Sequence, residues 1–104
     1  MSRRAAVRID RRAAREIEEA AAWWRTNRPT ASEAFEDNVA AALDLLAAQP
    51  LAGSAPKSAR LRGIRRVYLS RVRYHLYYRA DVAGRKIDVL ACWHASRGRS
   101  PRLP

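Results

Sequence analysis

The alternation of apolar and polar residues divides the chain into a short strand, two helices and three further strands. Residues 6–10 alternate, with Val7 and Ile9 on one side, which predicts a short strand. Asp10 is then placed to cap a helix, because its carboxylate can accept hydrogen bonds from the free amides of the first turn. Residues 11–27 show helical spacing. The predicted apolar face of this helix comprises Ala14, Ile17, Ala20, Ala21 and Trp24.

A second helix follows after a short break. Pro29 disfavours helix in the residue before it, so the first helix ends at residues 27–29. Thr30 or Ser32 can cap the second helix, which ends at residues 49–50. Its predicted buried stripe comprises Phe35, Val39, Ala42, Leu43 and Leu46. Because the connection is short, the two helices should form an antiparallel hairpin.

The second half of the chain is strand-like after a loop. Residues 50–63 are rich in Gly, Pro and Ser and form the loop. Three strands follow within residues 64–71, 74–78 and 87–93, with a turn near Val72 and a hairpin signal at residues 81–84. Strands joined this closely form an antiparallel meander. We therefore predict an α+β fold in the order β-α-α-β-β-β, with the helical hairpin packed on one face of a small antiparallel sheet.

The same alternation assigns side chains to the two faces of the sheet. The predicted inward positions on the strands are Val67, Leu69, Tyr74, Leu76, Tyr78, Ile87, Val89, Ala91 and Trp93. The predicted outward positions are Arg66, Tyr68, His75, Tyr77 and Arg79. The outward set combines cations with aromatic rings, a composition suited to contacts with phosphates and bases.

Length and composition indicate one domain at residues 1–95 and a mobile basic tail at residues 96–104. A hydrophobic content of 48% excludes a disordered chain. Cys92 is the single cysteine, so an internal disulfide is impossible and a reducing compartment fits. Because the sequence shows neither a signal peptide nor a membrane span, we expect a cytoplasmic protein that contacts no membrane.

The net charge of +11 lies entirely in the second half of the chain. Residues 51–104 hold thirteen Lys and Arg residues against only Asp81 and Asp88. This one-sided charge favours an anionic partner, either nucleic acid or an acidic protein segment. The alternative is a solvated basic surface with no dedicated partner.

Four local strings, in their order and spacing, resemble the RelE/ParE superfamily of bacterial toxins. They are VRID with AAREI in residues 7–17, LRGIRR in 61–66, RYHLYYR in 73–79 and IDVLACWHASR in 87–97. The most specific feature is the Tyr74–Tyr78 strand motif followed by a hydrophobic strand that ends in His94 and, three residues on, Arg97. The resemblance implies a toxin silenced by an antitoxin, whose C-terminal segment wraps along it.

Members of the superfamily poison one of two targets. RelE-like members cut mRNA on the ribosome, and ParE-like members inhibit DNA gyrase. For the ribonucleases, the resemblance implies phosphate-holding roles for Arg66 and Arg97. However, His75 and Tyr68 stand where the family often has arginine and lysine, and no tyrosine or histidine follows His94. We therefore predict a ParE-like, non-enzymatic gyrase inhibitor neutralised by an acidic antitoxin. The alternative is a RelE-like mRNA endoribonuclease acting on the ribosome.

Several side chains are candidates for the functional contacts. His75 and His94 could serve as acid or base, or simply pack. The candidates for contact with the target or with phosphate are Arg66, Tyr68, Arg79 and Arg97. Trp23 and Trp24 could bind the antitoxin, or both could pack under the loop at residues 50–63.

Other chemistries receive less support from the sequence. Cys92 is expected to be a small core residue rather than a nucleophile. Two histidines and one cysteine lack zinc-site spacing, so we expect no metal and no cofactor. A third class, a basic nucleic-acid-binding module, has no helix-turn-helix, zinc-ligand or RNA-binding signature to support it.

Overall fold

Two helices and four strands follow one another in the predicted order in the computed structural model, which describes residues 4–103. The elements are β1 (Ala6–Ile9), α1 (Arg11–Asn27), α2 (Ala34–Ala48), β2 (Arg65–Leu69), β3 (Tyr74–Asp81) and β4 (Lys86–His94). Short 3₁₀ turns at Pro29–Ala31 and Ala59–Leu61 precede α2 and β2. Residues 1–3 of the predicted domain and Pro104 of the predicted tail lie outside the described residues. Among residues 4–103, neither helix is long and apolar enough to cross a membrane.

The sheet has the strand order β1-β4-β3-β2. Strands β2, β3 and β4 form the predicted antiparallel meander. β1 joins the other side of β4 in parallel, with Val7 opposite Ile87 and Ile9 opposite Val89. The sheet is therefore mixed, because the helical hairpin carries the chain from one sheet edge to the other between β1 and β2. The predicted α+β fold with its helical hairpin is confirmed.

A bulge in β4 changes which residues face the helices. Tyr77 pairs with Ala91 whereas Tyr78 pairs with Val89, so Leu90 is an extra residue on β4. Because side chains alternate along a strand, one extra residue moves every later side chain to the opposite face. Ala91 and Trp93 were predicted to face the helices, and that assignment is wrong. They lie on the other side of the sheet, which is called the outer face below.

The main core lies between the helical hairpin and the sheet, and Phe35, Leu46, Leu76 and Tyr78 are completely buried in it. Further core positions predicted from the pattern are also buried: Val39, Leu69 and Val89 on this side, and Ala91 on the outer face. Five further predicted positions are partly buried against the main core: Ile17, Trp24, Leu43, Val67 and Tyr74. The predicted apolar stripe of α1 is wrong at Ala14, which is exposed, because the helix presents Ala13 to the core instead.

The helix starts differ in detail from the predicted caps. Asp10 occupies the cap position of α1, but its side chain makes no capping hydrogen bond. The backbone N–H of Asp10 instead donates to the carbonyl of Val89 at 2.9 Å, which ties the start of α1 to β4. Neither Thr30 nor Ser32 caps α2, because the 3₁₀ turn moves the cap position to Glu33.

Helix α1 covers the edge of β4 that β1 leaves open. β1 ends opposite Val89, so the later residues of β4 have no strand on that side. The Glu16 carboxylate accepts a hydrogen bond from the backbone N–H of Cys92 at 3.0 Å. This contact satisfies an amide that would otherwise lack a partner, and it fixes α1 beside the C-terminal end of β4.

A close contact of the loop with β2 closes the other sheet edge. The backbones of Ser54 and Arg66 exchange two hydrogen bonds, at 2.9 and 2.8 Å. The N–H of Gly53 donates to the Tyr78 hydroxyl at 2.8 Å. A Cβ atom at residue 53 would lie 2.7 Å from both the Arg66 carbonyl oxygen and the Tyr78 ring, so the approach requires glycine.

The outer face carries a second, smaller core. Its buried members are Leu61, Ile64, Tyr77, Ala91 and Trp93, and Leu90 and Leu103 pack against them. Tyr77 lies on the outer face, as predicted, but is only 1% exposed. Only part of the outer face is therefore available to a partner, namely the end near Tyr68 and Trp93.

Substitution of one of two adjacent leucines in α2 tests the burial of its inner stripe. Leu46 is 0% exposed and Leu45 is 39% exposed. We expect Leu46→Ala to lower the free energy of unfolding by about 2–5 kcal/mol, because it leaves a cavity in the main core. Leu45→Ala is the matched control and should cost about 1 kcal/mol or less. Urea denaturation measures both, and equal losses would contradict this burial pattern.

Candidate functional site

Strand register places a row of aromatic residues across the outer face. Tyr68 of β2 lies opposite His75 of β3, and His75 lies opposite Trp93 of β4. The Tyr68 and His75 ring centroids are 5.1 Å apart, and Tyr68 is 49% exposed. Tyr68 therefore presents an accessible ring at the end of this row.

Arginines border the aromatic row. Arg66 lies opposite Tyr77, and its Nη1 donates to the Tyr77 hydroxyl at 3.3 Å. The Arg97 guanidinium lies 4.0 Å from the centroid of the Trp93 ring, within cation–π range. Together they border a cavity of about 160 Å³, called the outer-face pocket. Its lining comprises Arg66, His75, Tyr77, Trp93, His94, Ala95, Arg97, Gly98, Arg99 and Ser100.

The chain after β4 was predicted to be a mobile tail, and the structure lays residues 96–103 along the domain. This segment is called the C-terminal strap. The indole N–H of Trp93 donates to the carbonyl of Arg99 at 2.8 Å, and Pro101 is buried. Arg12 donates to the carbonyl of Arg102, and Arg60 to that of Ser100 at 3.3 Å. The mobility of this segment in solution stays a prediction.

Of the four residues proposed to contact a target or phosphate, the structure brings three together. Arg66 and Arg97 line the outer-face pocket, and Tyr68 lies next to His75 at its side. Arg79 is on the same strand as His75 but lies opposite Asp88, beyond Tyr77, and does not line the pocket. Its proposed contact would have to involve a different part of the outer face.

His75 is held in an environment that favours its neutral form. Burial lowers the pKa of His75, and the nearby Arg66 charge lowers this pKa further. Burial, rather than the neighbouring Arg66 charge, is the larger cause of the lowered pKa. A neutral ring beside an aromatic row can stack or accept a hydrogen bond.

His94 lies on the opposite side of the sheet from His75. Its ring packs edge-on against Tyr74, at 4.8 Å between centroids, and Tyr74 packs in turn on Phe35 of α2. Its Nδ1 accepts a hydrogen bond from the backbone N–H of Ser96 at 3.1 Å. The Ser96 hydroxyl oxygen lies 2.6 Å from the same nitrogen. His94 therefore packs towards the main core, although it also lines the outer-face pocket together with His75.

A groove of about 750 Å³ runs between α1 and the ends of β3 and β4 and is called the α1 groove. Its floor is formed mainly by Ala20, Trp24, Val72, Tyr74 and Cys92, and its charged rim by Glu16, Glu19, Arg28, Arg71, Arg73 and Arg97. Trp24 packs against the main core, and Trp23 is 49% exposed at the rim. The alternative in which both tryptophans pack under the 50–63 loop is therefore wrong.

Cys92 lies in the floor of this groove as an unreactive group. Burial raises the pKa of the Cys92 thiol to about 12, and the Glu16 carboxylate contributes in the same direction. The thiol is therefore protonated at neutral pH and cannot act as a thiolate. Within residues 4–103, no group of three His, Cys, Asp or Glu side chains is placed to hold a metal ion.

Sequence reasoning missed Trp93 and Arg99 as parts of the outer-face pocket. Trp93 was assigned to the wrong face because strict alternation was carried through Leu90. The consecutive apolar residues Val89, Leu90 and Ala91 break that alternation and were the one available signal of a bulge. Nothing in the sequence of the strap indicates that Arg99 returns to Trp93.

The geometry agrees with a comparison against protein-family models. The model for the ParE toxin of type II toxin–antitoxin systems, parDE, matches residues 7–98. The chain belongs to the ParE toxin family. This family model covers all four strands and both helices except for Ala6 at the start of β1.

A solved structure has the same fold as this ParE toxin. It is titled "Chromosomal ParDE TA system from P. aeruginosa" and superposes with a TM-score of 0.72 at 17% sequence identity. The match covers 91% of this chain and 100% of the other. A search of curated proteins found no significant match. At this identity the structural likeness establishes the fold, and the family model establishes the membership.

The lowered pKa of His75 makes the stability of this ParE toxin depend on pH. The unfolded chain takes up a proton on His75 near its ordinary pKa of about 6.5, whereas the folded chain does so only at lower pH. Stabilisation from the neutral ring is therefore complete above about pH 6.5 and is lost as the pH falls towards the folded pKa. His75→Gln should remove this contribution.

Urea denaturation from about pH 7 to about pH 5 measures the effect. The stability advantage of the wild type over His75→Gln should shrink as the pH falls. Arg66→Gln serves as a control, because removal of that charge should raise the pKa of His75 and reduce the loss. A wild-type advantage that stays constant over this range would contradict the assignment.

Proposed function

We propose that this ParE toxin inhibits DNA gyrase in the cytoplasm and is kept inactive by a cognate acidic antitoxin. The observation that carries the proposal is the family match over residues 7–98, which makes the chain a ParE-type toxin of a type II toxin–antitoxin system. Gyrase as the target follows from the resemblance to the ParE-like branch, whose ending is similar to residues 93–97 of this chain.

The placement of the titratable groups supports gyrase over mRNA as the target. Cleavage of RNA needs one group to deprotonate the 2′-hydroxyl and another to protonate the leaving oxygen. His75 and His94 both line the outer-face pocket, but the His94 ring packs on Tyr74 and its Nδ1 is engaged by Ser96, which leaves it less suited to these roles. Tyr68 also occupies a position where ribonuclease members often carry lysine. The RelE-like alternative would need an acid outside this arrangement.

The α1 groove is proposed as the antitoxin site. Its apolar floor suits the buried side of an incoming segment, and Trp23 offers a large exposed aromatic surface at its rim. Glu16 and Glu19 are engaged by Arg12 and Arg15 at 3.4 and 4.0 Å, whereas Arg28, Arg71, Arg73 and Arg97 form no ion pair with a described residue. The rim is therefore complementary to an acidic segment, which is the chemistry expected of the antitoxin.

An exposed aromatic residue in the groove should contribute more to antitoxin binding than an exposed aliphatic residue elsewhere. We expect Trp23→Ala to weaken binding of the antitoxin encoded beside this gene by about tenfold or more. Leu51→Ala is the control, because Leu51 is 55% exposed and does not line the groove. Surface plasmon resonance measures both, and equal affinities of Trp23→Ala and wild type would remove the groove from the interface.

Surface plasmon resonance at several salt concentrations also tests the electrostatic contribution to antitoxin binding. Added salt should slow association more than it changes dissociation, because the positive charge acts mainly at encounter. An association rate that is unaffected by salt would contradict an acidic antitoxin.

Paired assays distinguish the two targets. Purified toxin should inhibit gyrase supercoiling and leave ribosome-bound mRNA intact, and premixing with antitoxin should abolish the inhibition of supercoiling. The wild type is compared with His75→Ala and Arg97→Ala in both assays. Codon-specific cuts by the wild type that disappear in His75→Ala would overturn the gyrase proposal and place this chain among the ribonucleases.

A further inference from the structure

The C-terminal strap and the sheet together build the outer-face pocket. The sheet contributes Arg66, His75 and Tyr77, and the strap contributes Arg97 and Arg99. The strap is held in place by the hydrogen bond from the Trp93 indole to the Arg99 carbonyl, by the burial of Pro101 and by packing of Leu103 on the outer-face core. The two strap arginines therefore occupy fixed positions beside the sheet only while the strap is docked.

Positive charge in this pocket is concentrated without an internal counter-charge. Two guanidinium groups of the strap lie near the Trp93 ring, Arg97 at 4.0 Å and Arg99 at 5.9 Å from its centroid, whereas Arg12, also at 5.9 Å, is paired with Glu16 and does not line the pocket. Arg66 approaches from β2, and the pocket lining contains no carboxylate. Of the pocket arginines, Arg66, Arg97 and Arg99 form no ion pair with any residue in 4–103. Like charges held this close favour an anion from solution.

The size of the pocket and its aromatic neighbour restrict the kind of anion. The pocket, of about 160 Å³, is lined by guanidinium groups and by the His75 ring, which suits a small oxyanion such as phosphate. The exposed Tyr68 ring lies beside the pocket, 5.1 Å from His75. An aromatic ring at this position can stack on a base while the arginines hold the attached phosphate.

We propose that the outer-face pocket binds the phosphate group of a nucleotide unit, with the base stacked on Tyr68, and that occupancy holds the strap against the sheet. The phosphate can belong to a free nucleotide or to a single strand of nucleic acid, and the chemistry of recognition is the same. No bond is made or broken at this site. The inference does not depend on gyrase being the target, so failure of the supercoiling assay would leave it standing.

Calorimetric titration of the full-length toxin tests the site with four probes: inorganic phosphate, thymidine monophosphate, single-stranded oligothymidylate and a DNA duplex. Arg97→Gln should weaken binding of phosphate and of both thymidine ligands by about tenfold. Arg102→Gln is the matched control, because it removes the same charge from an exposed strap residue that does not line the pocket. Equal losses in the two variants would reduce the site to general charge attraction and overturn the proposal.

Tyr68→Ala separates the two halves of the site. The substitution should weaken the binding of thymidine monophosphate and of the single strand. It should leave the affinity for inorganic phosphate unchanged, because only the base contacts Tyr68. Oligothymidylate that binds more tightly than the mononucleotide would identify a single strand as the source of the phosphate, and the reverse order would identify a free nucleotide. A duplex that binds more tightly than the single strand, or a Tyr68→Ala variant with unchanged affinity for both thymidine ligands, would overturn base stacking.

A second measurement reports on the pocket directly. A phosphate beside His75 should raise the pKa of its ring, since a nearby negative charge favours the imidazolium form. The groups facing this ring are Arg66, Tyr68, Tyr77 and Trp93. Proton NMR titration of the His75 ring with and without phosphate measures the shift, and amide exchange of the strap should slow in the presence of phosphate. Ring and strap signals that do not respond to any probe would overturn the proposal.

Discussion

The extra residue at Leu90 determines what each face of the sheet can do. β4 is an inner strand between β1 and β3. A bulge that reverses the direction of its later side chains therefore changes both the main core and the outer face. Before the bulge, Ile87 and Val89 face the helices, and after it Cys92 does so while Ala91 and Trp93 face outward. Without the bulge, Trp93 would enter the main core and Cys92 would lie outside. The outer-face pocket requires Trp93 to lie on the outer face, where its ring forms part of the lining.

Arginines in the two halves of the chain make different kinds of contact. The ion pairs resolved within residues 4–103 use arginines of the N-terminal part, such as Arg4 with Asp44 and Arg25 with Glu36. Some later arginines contact carbonyl oxygens or aromatic rings instead, as Arg65 does with Gly53 and Arg97 with Trp93. These contacts orient the guanidinium groups without neutralising their charge.

The parts of the fold that could be predicted from sequence are those governed by local periodicity. The bounds of α1 were obtained because its polar and apolar positions repeat with the helical period, and the meander because its turns are short and recognisable. The parallel pairing of β1 could not be predicted, since the contact between Val7 and Ile87 joins residues far apart in the chain. The shift of the second cap to Glu33 and the return of the strap to Trp93 likewise could not be predicted, whereas Asp10 was correctly placed at the start of α1.

The pairing of β1 with β4 has a consequence for the order in which the molecule acquires its structure. The first strand, Ala6–Ile9, hydrogen-bonds within the sheet only to the last strand, Lys86–His94. During synthesis, the helical hairpin can form from local contacts, but β1 has no strand to pair with until residues 86–94 have been made. The finished sheet, and with it the outer-face pocket, therefore cannot form before β4 has been translated. A message cut short before residue 86 yields a fragment that lacks β4 and with it Trp93, so neither face of the sheet is complete.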